Sequence, residues 1–572
     1  MSELDHDAPE EVDLLVFGAG AGGMTAALKG ALDGLSVLLC EKTDMVGGTT
    51  ATSGGTVWIP GAVLSREAGV PDTTARAAEF LRHVEGNRGG DDLRTAFLET
   101  GPDAIAELQE KTDVQFVAAS AHPDYLDGPG SAYGGRALSP LLFDGRQLGA
   151  DFARVRPPRD VFMGLGGMMV GRAELGALLG PFKSLSNFRT TLGIVLPYFR
   201  DRLRHRRGTR LLMGNALVGR LLLSLRKRGV PIWFESRLVD FLQSDGRVTG
   251  AVIETGDGRR SVLARLGVVL ATGGIGWNEA LRKQFYPSKV APISQSPISN
   301  RGDGISLAVE RLGAALDDGG DSAGLWMPCS IRKNSDGSQS VWPHILLDRA
   351  KPGLIAVGPN GRRFVNEADS YHDFCSGMVR AGLSEAWLIV DSRFIAKYGL
   401  GLALPGGRGA ARLMRQGYLI RSVDLADLAR SIGVDPEGLK VTIALNNQSA
   451  AMGRDNEFRR GDSTLNRFNG DASVAPNPCL APIATAPFYA VKVMPVDLAG
   501  SAGLRIDADS RVLDPSGSPI SGLYACGNDA TSIFRGTYPG PGTTIGPAMV
   551  FAWRAATAAS GSAHSATRNL PL

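Results

Sequence analysis

The chain alternates short apolar runs with glycine-rich turns, and the clearest example lies near its start. Residues 12–17 (VDLLVF) are mostly apolar and end in the glycine turn 18–23 (GAGAGG), after which the spacing of Ala and Leu predicts a helix. Residues 36–42 (SVLLCEK) predict a second strand, which ends in the acidic residue Glu41. The pattern therefore predicts a strand–helix–strand unit with a glycine turn at its first corner.

Three later segments extend this pattern. Apolar strands that run into glycine-rich turns are predicted at 267–276 (GVVLATGGIG) and 522–529 (GLYACGND), and residues 548–559 (AMVFAWRAATAA) predict a helix. The turn Pro359-Asn360-Gly361 separates an apolar strand at 354–357 from a second predicted strand, RRFVNE, at 362–367.

The first glycine turn has the spacing of a dinucleotide-binding fingerprint. Gly18 permits the tight turn, Gly20 leaves room for a pyrophosphate, and Gly23 lets the helix pack closely on the strand. The N-terminus of the helix directs the positive end of its dipole toward the phosphates. Glu41, at the end of the second strand, is the acid that would accept hydrogen bonds from the ribose hydroxyls.

The loop after Glu41 distinguishes between the two common dinucleotides, NAD and FAD. Residues 46–57 (VGGTTATSGGTV) offer many backbone N–H groups and hydroxyls directly after the ribose acid. A flavin with its ribityl chain has more groups to hold than a nicotinamide has. The sequence therefore predicts FAD.

Composition excludes several classes of function. The 61 basic and 58 acidic residues nearly balance, and no basic patch with interleaved aromatic residues indicates nucleic-acid binding. The seven histidines show no HExxH motif and no paired spacing, so no metal site is predicted. Five cysteines without a CxxC pair, the lack of a secretory signal pattern and the lack of a long apolar stretch predict a cytoplasmic protein.

One segment leaves open whether the protein also contacts a membrane. Residues 191–210 are apolar at first and then strongly basic. They are typical either of a solvated basic helix face or of an amphipathic element that makes peripheral contact with the inner face of an anionic membrane.

The three glycine-rich segments together resemble the split FAD-binding domain of the flavoprotein family that includes fumarate reductase and the 3-ketosteroid dehydrogenases. The resemblance implies a Rossmann-like α/β FAD-binding domain, formed by residues 1–276 and 488–572, with an inserted α+β catalytic or capping domain at 277–487. Carried over to this sequence, the cofactor-binding residues are Gly18, Gly20, Gly23, Glu41, Lys42, Gly47, Gly48, Thr49, Thr50, Ser53, Gly54, Gly55, Gly274 and Asp529.

The turn at 536–547 (GTYPGPGTTIGP) is similar to the C-terminal signature of the 3-ketosteroid Δ1-dehydrogenases. The resemblance implies an FAD-dependent oxidoreductase acting on CH–CH groups, which introduces a C=C bond next to a ring ketone. It implies that Tyr538 and the N–H of Gly542 hold the ketone oxygen. Tyr371 would remove the α-proton with help from Tyr125, and a hydride would leave the β-carbon for flavin N5.

The resemblance leaves the substrate and the electron acceptor open. His122, Pro539 and Pro541 depart from the steroid-enzyme pattern at positions expected to touch the pocket. The expected substrate is therefore a 3-ketosteroid or a smaller cyclic ketone such as a terpenoid. Electrons are expected to leave through a diffusible acceptor or a quinone.

Two alternatives to ketone desaturation remain. Arg349 and the segment GRRFVNE are similar to the arrangement with which fumarate reductases reduce an enoate, although no set of His and Arg residues for two carboxylates is recognised. The glycine motifs alone are also compatible with a non-enzymatic flavin-binding scaffold.

The role expected of Tyr371 requires an activating neighbour, because the pKa of a free tyrosine is near ~10. The candidates are Arg349, Arg362, Arg363 and His372. For Arg362 and Arg363, a solvated strand end is the preferred interpretation.

Overall fold

The first of two large β-sheets carries the predicted glycine-rich turns. The computed structural model describes residues 10–334, 336–345 and 348–568. This sheet has eight strands, and six of them lie in the spatial order Ile232–Trp233, Val37–Cys40, Glu11–Phe17, Gly258–Leu270, Arg247–Thr255 and Arg237–Ser244. The other two are Pro519–Ala525, which pairs in parallel with Gly258–Leu270, and Arg511–Leu513, which pairs with Pro519–Ala525.

Four parallel strands of this sheet end in register. Phe17 pairs with both Cys40 and Leu270, and Leu270 pairs with Ala525. The segments that follow these strands therefore meet at one edge of the sheet, although hundreds of residues separate them along the chain. The predicted strand–helix–strand unit is present, with its helix at Ala21–Leu32.

Burial explains why these short apolar runs form the centre of the sheet. Leu14, Leu15 and Val16 are completely buried, and fully burying such a side chain stabilises the fold by about 1.5–3 kcal/mol. The helix Ala21–Leu32 packs against the long helix Ile545–Arg568, which contains the predicted helix at 548–559. Both helices begin at the edge where the four strands end.

The second large sheet has six strands. Five lie in the order Gln339–Pro343, Gly324–Lys333, Phe488–Gly500, Ala386–Val390 and Leu354–Val357, and Ile420–Ser422 also pairs with Phe488–Gly500. By sheet membership, Phe488–Gly500 lies with the strands of the predicted inserted segment rather than with the first sheet. The division into 1–276 with 488–572 and 277–487 stays a prediction.

The predicted strand at 362–367 is wrong. The turn is present, because the N–H of Gly361 donates to the carbonyl of Gly358, but irregular structure follows it. Arg363 is buried there and pairs with Glu367 at 2.6 Å and with Asp455 at 2.9 Å. The solvated interpretation of Arg363 is therefore also wrong, because buried ion pairs rather than ladder hydrogen bonds satisfy this segment.

The remaining elements surround the two sheets. The other α-helices are Gly48–Ala51, Val63–Glu67, Thr74–Glu85, Asp91–Lys111, Arg172–Leu179, Leu185–Asp201, Met213–Lys227, Glu279–Phe285, Asp303–Leu312, Tyr371–Arg380, Ser392–Lys397, Ala410–Arg415, Leu425–Ser431, Pro436–Met452 and Thr464–Asn469. Small sheets are formed by Val57–Trp58, Phe116–Ala118 and Ala137–Pro140, by Leu316–Asp317 and Gly503–Leu504, by Phe143–Asp144 and Arg210–Leu211, and by Met163–Gly164 and Met168–Met169. The 3-10 helices are Gly145–Arg154, Asp160–Phe162, Pro181–Lys183, Pro405–Gly407 and Gly527–Asp529. Across the described ranges, no helix combines the length and the apolar character that crossing a bilayer requires.

Candidate active site

A single cavity of about 390 Å³ opens at the edge where the four parallel strands end. Its walls come from both halves of the chain. The predicted cofactor residues that line it are Gly18, Gly20, Glu41, Lys42, Gly48, Thr49, Thr50, Ser53, Gly54 and Gly55. All four predicted catalytic residues, Tyr125, Tyr371, Tyr538 and Gly542, line the same cavity.

Glycine is required at three positions of the first turn for different structural reasons. Gly18 has a φ of +100°, and a Cβ there would lie 2.1 Å from the carbonyl oxygen of Ala271. A Cβ on Gly23 would lie 1.8 Å from the carbonyl oxygen of Gly18, so this residue sets the close packing of helix and strand. Gly20 has no such neighbour, because the nearest atom, Thr50 Oγ1, would be 3.9 Å away. Gly20 therefore keeps the cavity open.

The acid at the end of the second strand is partly used by the protein itself. Glu41 Oε2 accepts from the N–H of Ala19 at 3.0 Å, and Oε1 accepts from the N–H and the hydroxyl of Thr43, both at 2.9 Å. Beside it, Lys42 Nζ pairs with Asp303 Oδ2 at 2.6 Å. These bonds fix the carboxylate at the cavity wall, where a carboxylate oxygen can accept from more than one donor.

Four predicted cofactor residues lie outside the cavity lining. Gly23 and Gly47 pack against neighbouring elements, and a Cβ on Gly47 would lie 2.7 Å from that of Ala51. Asp529 is buried behind the turn that follows Gly258–Leu270, where its carboxylate accepts from the N–H groups of Thr272 at 2.5 Å and Gly274 at 2.8 Å. Asp529 and Gly274 therefore hold that turn in place. Asn528, next to Asp529, lines the cavity instead.

The residues at this edge fit FAD. The N–H groups of Gly22 and Gly23, in the first turn of helix Ala21–Leu32, have no acceptor among the described residues. Unsatisfied N–H groups at a helix N-terminus bind phosphate groups well. Gly20, Gly48 and Gly54 present no side chain to the cavity, so a pyrophosphate and a ribityl chain can approach the backbone closely.

Three tyrosines form an aromatic cluster at the other end of the cavity. The rings of Tyr125 and Tyr538 are stacked, with centroids 5.7 Å apart, and the ring of Tyr371 meets both edge to face at 5.6 Å and 5.1 Å. Tyr371 starts the helix Tyr371–Arg380, which is capped by the hydroxyl of Ser370 accepting from the N–H of Asp373. The hydroxyl of Tyr371 interacts with those of the other two tyrosines.

Burial dominates the electrostatics of this cluster. It raises the pKa of Tyr371 well above the usual value of 10, and contacts with Tyr125 and Tyr538 raise it further. Burial also raises the pKa of Tyr125 and of Tyr538. Of the four predicted activating groups, Arg349 acts on this cluster, since its charge lowers the pKa of Tyr125. The three phenols are therefore neutral near pH 7 and can donate hydrogen bonds.

The C-terminal turn presents an unpaired donor beside Tyr538. Gly542 has a φ of +97°, and a Cβ there would lie 2.6 Å from the carbonyl oxygen of Thr56. Its own carbonyl accepts from the N–H of Trp58, whereas its N–H has no acceptor within the described part of the chain. This N–H lies just before the helix Ile545–Arg568, whose dipole favours negative charge at that end.

A buried ion network holds the loop that carries Tyr125. Asp124 accepts from Arg136 Nη1 at 2.6 Å and from the indole N–H of Trp58 at 2.8 Å. Arg136 also pairs with Asp72 at 2.9 Å. The N–H of Tyr125 donates to the carbonyl of Pro539 at 2.8 Å, which ties this loop directly to the C-terminal turn.

Several cavity residues are absent from the sequence prediction. They are Arg156, Arg159, Phe162, Gln295, Asn300, Met327, Pro343, Ile345, Leu498 and Thr544. Most are apolar or uncharged and carry no motif. Arg156 and Arg159 belong to the run RVRPPR at 154–159, whose density of arginine next to proline is the one signal that could have found them.

Arg349 does not line the cavity. It is buried, and its guanidinium donates to the backbone carbonyls of His344 at 2.8 Å, Glu367 at 2.8 Å and Asp369 at 3.2 Å. Among the residues that the structure describes, no group of three or more His, Cys, Asp or Glu side chains could hold a metal ion.

Comparison with known proteins gives the family. The family model described as FAD binding domain matches residues 13–545. The chain is 38% identical to the 4-oxocyclohex-2-ene-1-carboxylate 5-dehydrogenase of Sinomonas cyclohexanicum, over 95% of this chain and 92% of that one. It is 34% identical to the 3-oxosteroid 1-dehydrogenase of Mycobacterium tuberculosis, over 96% of this chain and 98% of that one.

A solved structure agrees with the sequence relatives. The 3-ketosteroid Δ1-dehydrogenase of Sterolibacterium denitrificans, in complex with 1,4-androstadiene-3,17-dione, superimposes with a TM-score of 0.87 at 34% identity. The match covers 97% of this chain and all of that one. The chain therefore belongs to the FAD-binding flavoprotein family that contains the 3-ketosteroid Δ1-dehydrogenases, and FAD is its cofactor.

Proposed function

We propose that this protein is a dehydrogenase that introduces a C=C bond next to the ketone of a ring substrate. One observation carries the proposal. The cavity is lined at one end by Gly20, Gly48 and Gly54, the glycine cradle for FAD. The same cavity is lined by Tyr125, Tyr371 and Tyr538 and by Gly542, whose N–H is unpaired among the described residues. The relatives named above act on a 3-oxosteroid or on a cyclohexenone carboxylate, and both of these substrates contain a ring ketone.

The chemistry assigned to each residue follows from its protonation state. Tyr538 is a neutral phenol, so it can donate to the ketone oxygen together with the N–H of Gly542. Two such donors stabilise the enolate charge that develops as the α-proton leaves. The glycines at the strand ends would hold FAD, which would supply the acceptor for the hydride of the β-carbon.

Tyr371 is the residue we assign to the α-proton. Its pKa lies well above 10, so a free tyrosinate is unfavourable, and the proton has to move as charge develops on the ketone. Tyr125 interacts with the hydroxyl of Tyr371 and can take its phenolic proton only as a tyrosinate, the form that the charge of Arg349 favours. Tyr125 is therefore the assisting group in this proposal.

The reductive alternative has less support. A fumarate reductase-like reaction would need Arg349 to deliver a proton, but the guanidinium donates to four backbone carbonyls and does not line the cavity. The decisive experiment mixes the anaerobic holoenzyme with a saturated 3-ketosteroid or a cyclohexanone and follows the flavin absorbance. Bleaching supports the dehydrogenase. An unchanged spectrum with every ring ketone tested would refute it and favour a non-enzymatic scaffold, and oxidation of the reduced enzyme by fumarate would favour the alternative.

Peripheral membrane contact is the second part of the proposal. The helix Leu185–Asp201 and its flanks expose an apolar face, defined as Phe182, Leu185, Phe188, Leu192, Leu196, Phe199 and Leu203. The side chains of Phe182 and Leu203 are 87% and 84% exposed. The opposite side of the helix packs through Ile194 and Tyr198 onto Met168.

Charge around the apolar face favours an anionic bilayer as its partner. Lys183, Arg200, Arg202 and Arg204 are exposed beside it. One residue of the predicted basic segment 191–210 does not belong to this exposed surface. Arg207 is buried and donates to Asn215, so it does not face solvent. An apolar helix face flanked by basic residues is typical of proteins that rest on a membrane surface.

Vesicle sedimentation tests this contact. The protein should sediment with vesicles of phosphatidylcholine and phosphatidylglycerol and much less with phosphatidylcholine alone. Replacing Leu196 and Phe199 by Ser should abolish sedimentation, whereas the control Leu263→Ser, at an exposed position of the first sheet, should not. Equal sedimentation of both variants would contradict the proposal. A membrane-bound position would also suit a quinone as the electron acceptor, in place of a diffusible one.

A further inference from the structure

Arg159 is a cation on the cavity wall without a carboxylate partner. Its Nη2 donates to the backbone carbonyl of Gln295, and the structure gives it no other hydrogen bond. No Asp or Glu of the described chain is paired with its guanidinium, and no acid is among the groups that shift its pKa. Burial lowers its pKa, and the one group that opposes this effect is the thiol of Cys329 rather than an acid.

Two of the other cations of the cavity pair with an acid, and the third, Arg156, has one hydroxyl acceptor while its Nε has none among the described residues. Lys42 pairs with Asp303, Arg237 pairs with Glu254, and Arg156 donates to the hydroxyl of Thr43. Lys42 is adjacent to Glu41, the acid expected to hold the ribose, and Arg156 reaches the same strand end through Thr43. Arg159 differs from them in having no side-chain acceptor.

Arg159 belongs to the tyrosine end of the cavity. Gln295, whose carbonyl it contacts, bonds through Nε2 to the sulfur of Cys329 at 2.8 Å. Cys329 packs in the same buried cluster as Tyr125, Tyr371 and Tyr538. The unpaired guanidinium therefore borders the part of the cavity that receives the ring ketone in the proposed function.

A half-buried cation without a counter-ion is costly unless something pairs with it. The guanidinium is planar and presents parallel N–H donors, which match the two oxygens of a carboxylate. An uncharged steroid ring would leave this cation unpaired, whereas an acid on the substrate would satisfy it. The cavity thus has one donor set for a ketone and a separate one for an anion.

We propose that the substrate is a ring ketone that carries a carboxylate, and that Arg159 binds this carboxylate and selects for it. This inference rests on the proposed dehydrogenase function and adds the substrate class. Arg159 takes no part in the removal of the α-proton or the hydride, so it is a specificity residue.

The test compares 4-oxocyclohexanecarboxylate with its methyl ester, which has the same ring and ketone but no charge. With the anaerobic holoenzyme, kcat/KM for flavin reduction should be about 10- to 100-fold higher for the acid, as expected when a charged hydrogen-bonded pair is lost. In Arg159→Gln, kcat/KM for the acid should fall by about the same factor, and that for the ester should change less than about threefold. Equal values for acid and ester in the native protein would overturn the inference.

A matched control separates charge in the cavity from charge elsewhere. Arg408 is exposed, does not line the cavity, and also donates through Nη2 to a backbone carbonyl, that of Leu179 at 3.1 Å. Arg408→Gln should keep the preference for the acid. If Arg408→Gln and Arg159→Gln lose it equally, the carboxylate is not held by Arg159.

A binding measurement keeps the inference independent of turnover. The holoenzyme should bind 4-hydroxybenzoate, a flat ring with a phenol and a carboxylate, at least about 10-fold more tightly than its methyl ester, and Arg159→Gln should remove this difference. Absence of flavin reduction by any ring ketone would refute the proposed function, and the binding comparison would still decide the role of Arg159. Reduction by an uncharged 3-ketosteroid together with no preference for acids would refute only the role of Arg159.

Discussion

The rings of Tyr371 and Tyr538 meet with centroids 5.1 Å apart and an interplanar angle of 66°. The two residues come from different elements, because Tyr371 begins a helix behind the second sheet and Tyr538 lies in the turn before the last helix. Their contact brings the proposed proton acceptor next to the proposed ketone donor. A base and an oxyanion donor have to act on neighbouring atoms of one substrate, and this geometry allows it.

The first prediction concerns Tyr371. In Tyr371→Phe the ring packing is kept and the hydroxyl is lost, so flavin content should be unchanged. The rate of anaerobic flavin reduction by a ring ketone should fall by about 10²- to 10⁴-fold, the usual contribution of a positioned acid or base. Stopped-flow absorbance measures this rate.

Tyr398→Phe is the matched control. Tyr398 is half-buried, donates to Asp471 at 2.6 Å and does not line the cavity. Its loss should leave the rate within about threefold of the native value, since no reacting group is touched. Comparable activity in native protein and Tyr371→Phe would remove Tyr371 as the proton acceptor.

The second prediction concerns pH. The pKa of Tyr371 is raised well above 10. As long as the pH is below this pKa, the deprotonated, reactive fraction of Tyr371 increases with rising pH. We expect kcat/KM to increase with pH through the neutral and mildly alkaline range, by up to about tenfold per unit, without a plateau below pH ~10. A pH profile of kcat/KM checks this, and the increase should disappear in Tyr371→Phe. A plateau near neutral pH would show that a different group accepts the proton.

The strand ends and Tyr538 could be predicted because each carries a local signal, whereas Tyr125 and Tyr371 were found only through the family resemblance. Gly18 and Gly20 stand in a fingerprint whose flanking strand and helix are legible, and Tyr538 stands in a turn dense in Gly and Pro. The sequence does not show whether the side chain of such a residue faces the cofactor or a neighbouring part of the protein. Asp529 follows a strand as a cofactor ligand would, yet its carboxylate supports the neighbouring turn, because that turn folds over it from 257 residues away.

Charged residues that are far apart in the sequence account for most of the remaining differences between the sequence predictions and the structure. Arg363 and Glu367 lie in an alternating pattern typical of a strand, but Asp455, far along the chain, pairs with Arg363 and fixes an irregular conformation. The run RVRPPR marks Arg159 in the sequence but not its importance, because an arginine is notable in a cavity only when no acid lies near it. That condition depends on the three-dimensional arrangement and leaves no trace in local sequence.

The third prediction concerns the two groups proposed to donate to the ketone oxygen, the hydroxyl of Tyr538 and the N–H of Gly542. Tyr538→Phe removes one of the two proposed donors, and loss of one such donor costs about 10²- to 10³-fold in rate. The ring of Tyr538 and its packing are kept in this variant, so flavin content should not change. Single-turnover reduction of the flavin measures the effect. A rate within threefold of native would mean that the ketone oxygen binds elsewhere.

The fourth prediction concerns the cofactor cradle. A Cβ on Gly20 would have 3.9 Å to its nearest neighbour, so Gly20→Ala should fold, but the methyl group would occupy space needed by the pyrophosphate. We expect purified Gly20→Ala to contain markedly less flavin, measured as the ratio of flavin to protein absorbance. Gly176→Ala, at an exposed helix position with nothing within 4 Å, is the control and should keep its flavin. Full flavin content in Gly20→Ala would place the pyrophosphate away from this turn.

The fifth prediction uses a buried acid beneath the C-terminal turn. Glu85 Oε1 accepts from the hydroxyl of Thr537 at 2.5 Å, next to Tyr538, whereas Oε2 has no partner among the described residues. Burial raises the pKa of Glu85 to about 7, although Arg94 and Arg88 oppose this. The folded protein therefore binds the proton more tightly than the unfolded chain does.

The sign of the pH effect follows from that difference. The stability associated with protonated Glu85 is fully present below the unfolded pKa, near 4.5, and is lost as pH rises through about 7. Glu85→Gln removes the charge, so it should raise the free energy of unfolding more at pH 8 than at pH 5, by about 1–3 kcal/mol. Urea unfolding of the holoenzyme at both values measures the difference. Glu79→Gln, on the exposed side of the same helix, should show no such difference, and equal gains for Glu85→Gln at the two pH values would mean that Glu85 is charged in the folded protein throughout this range.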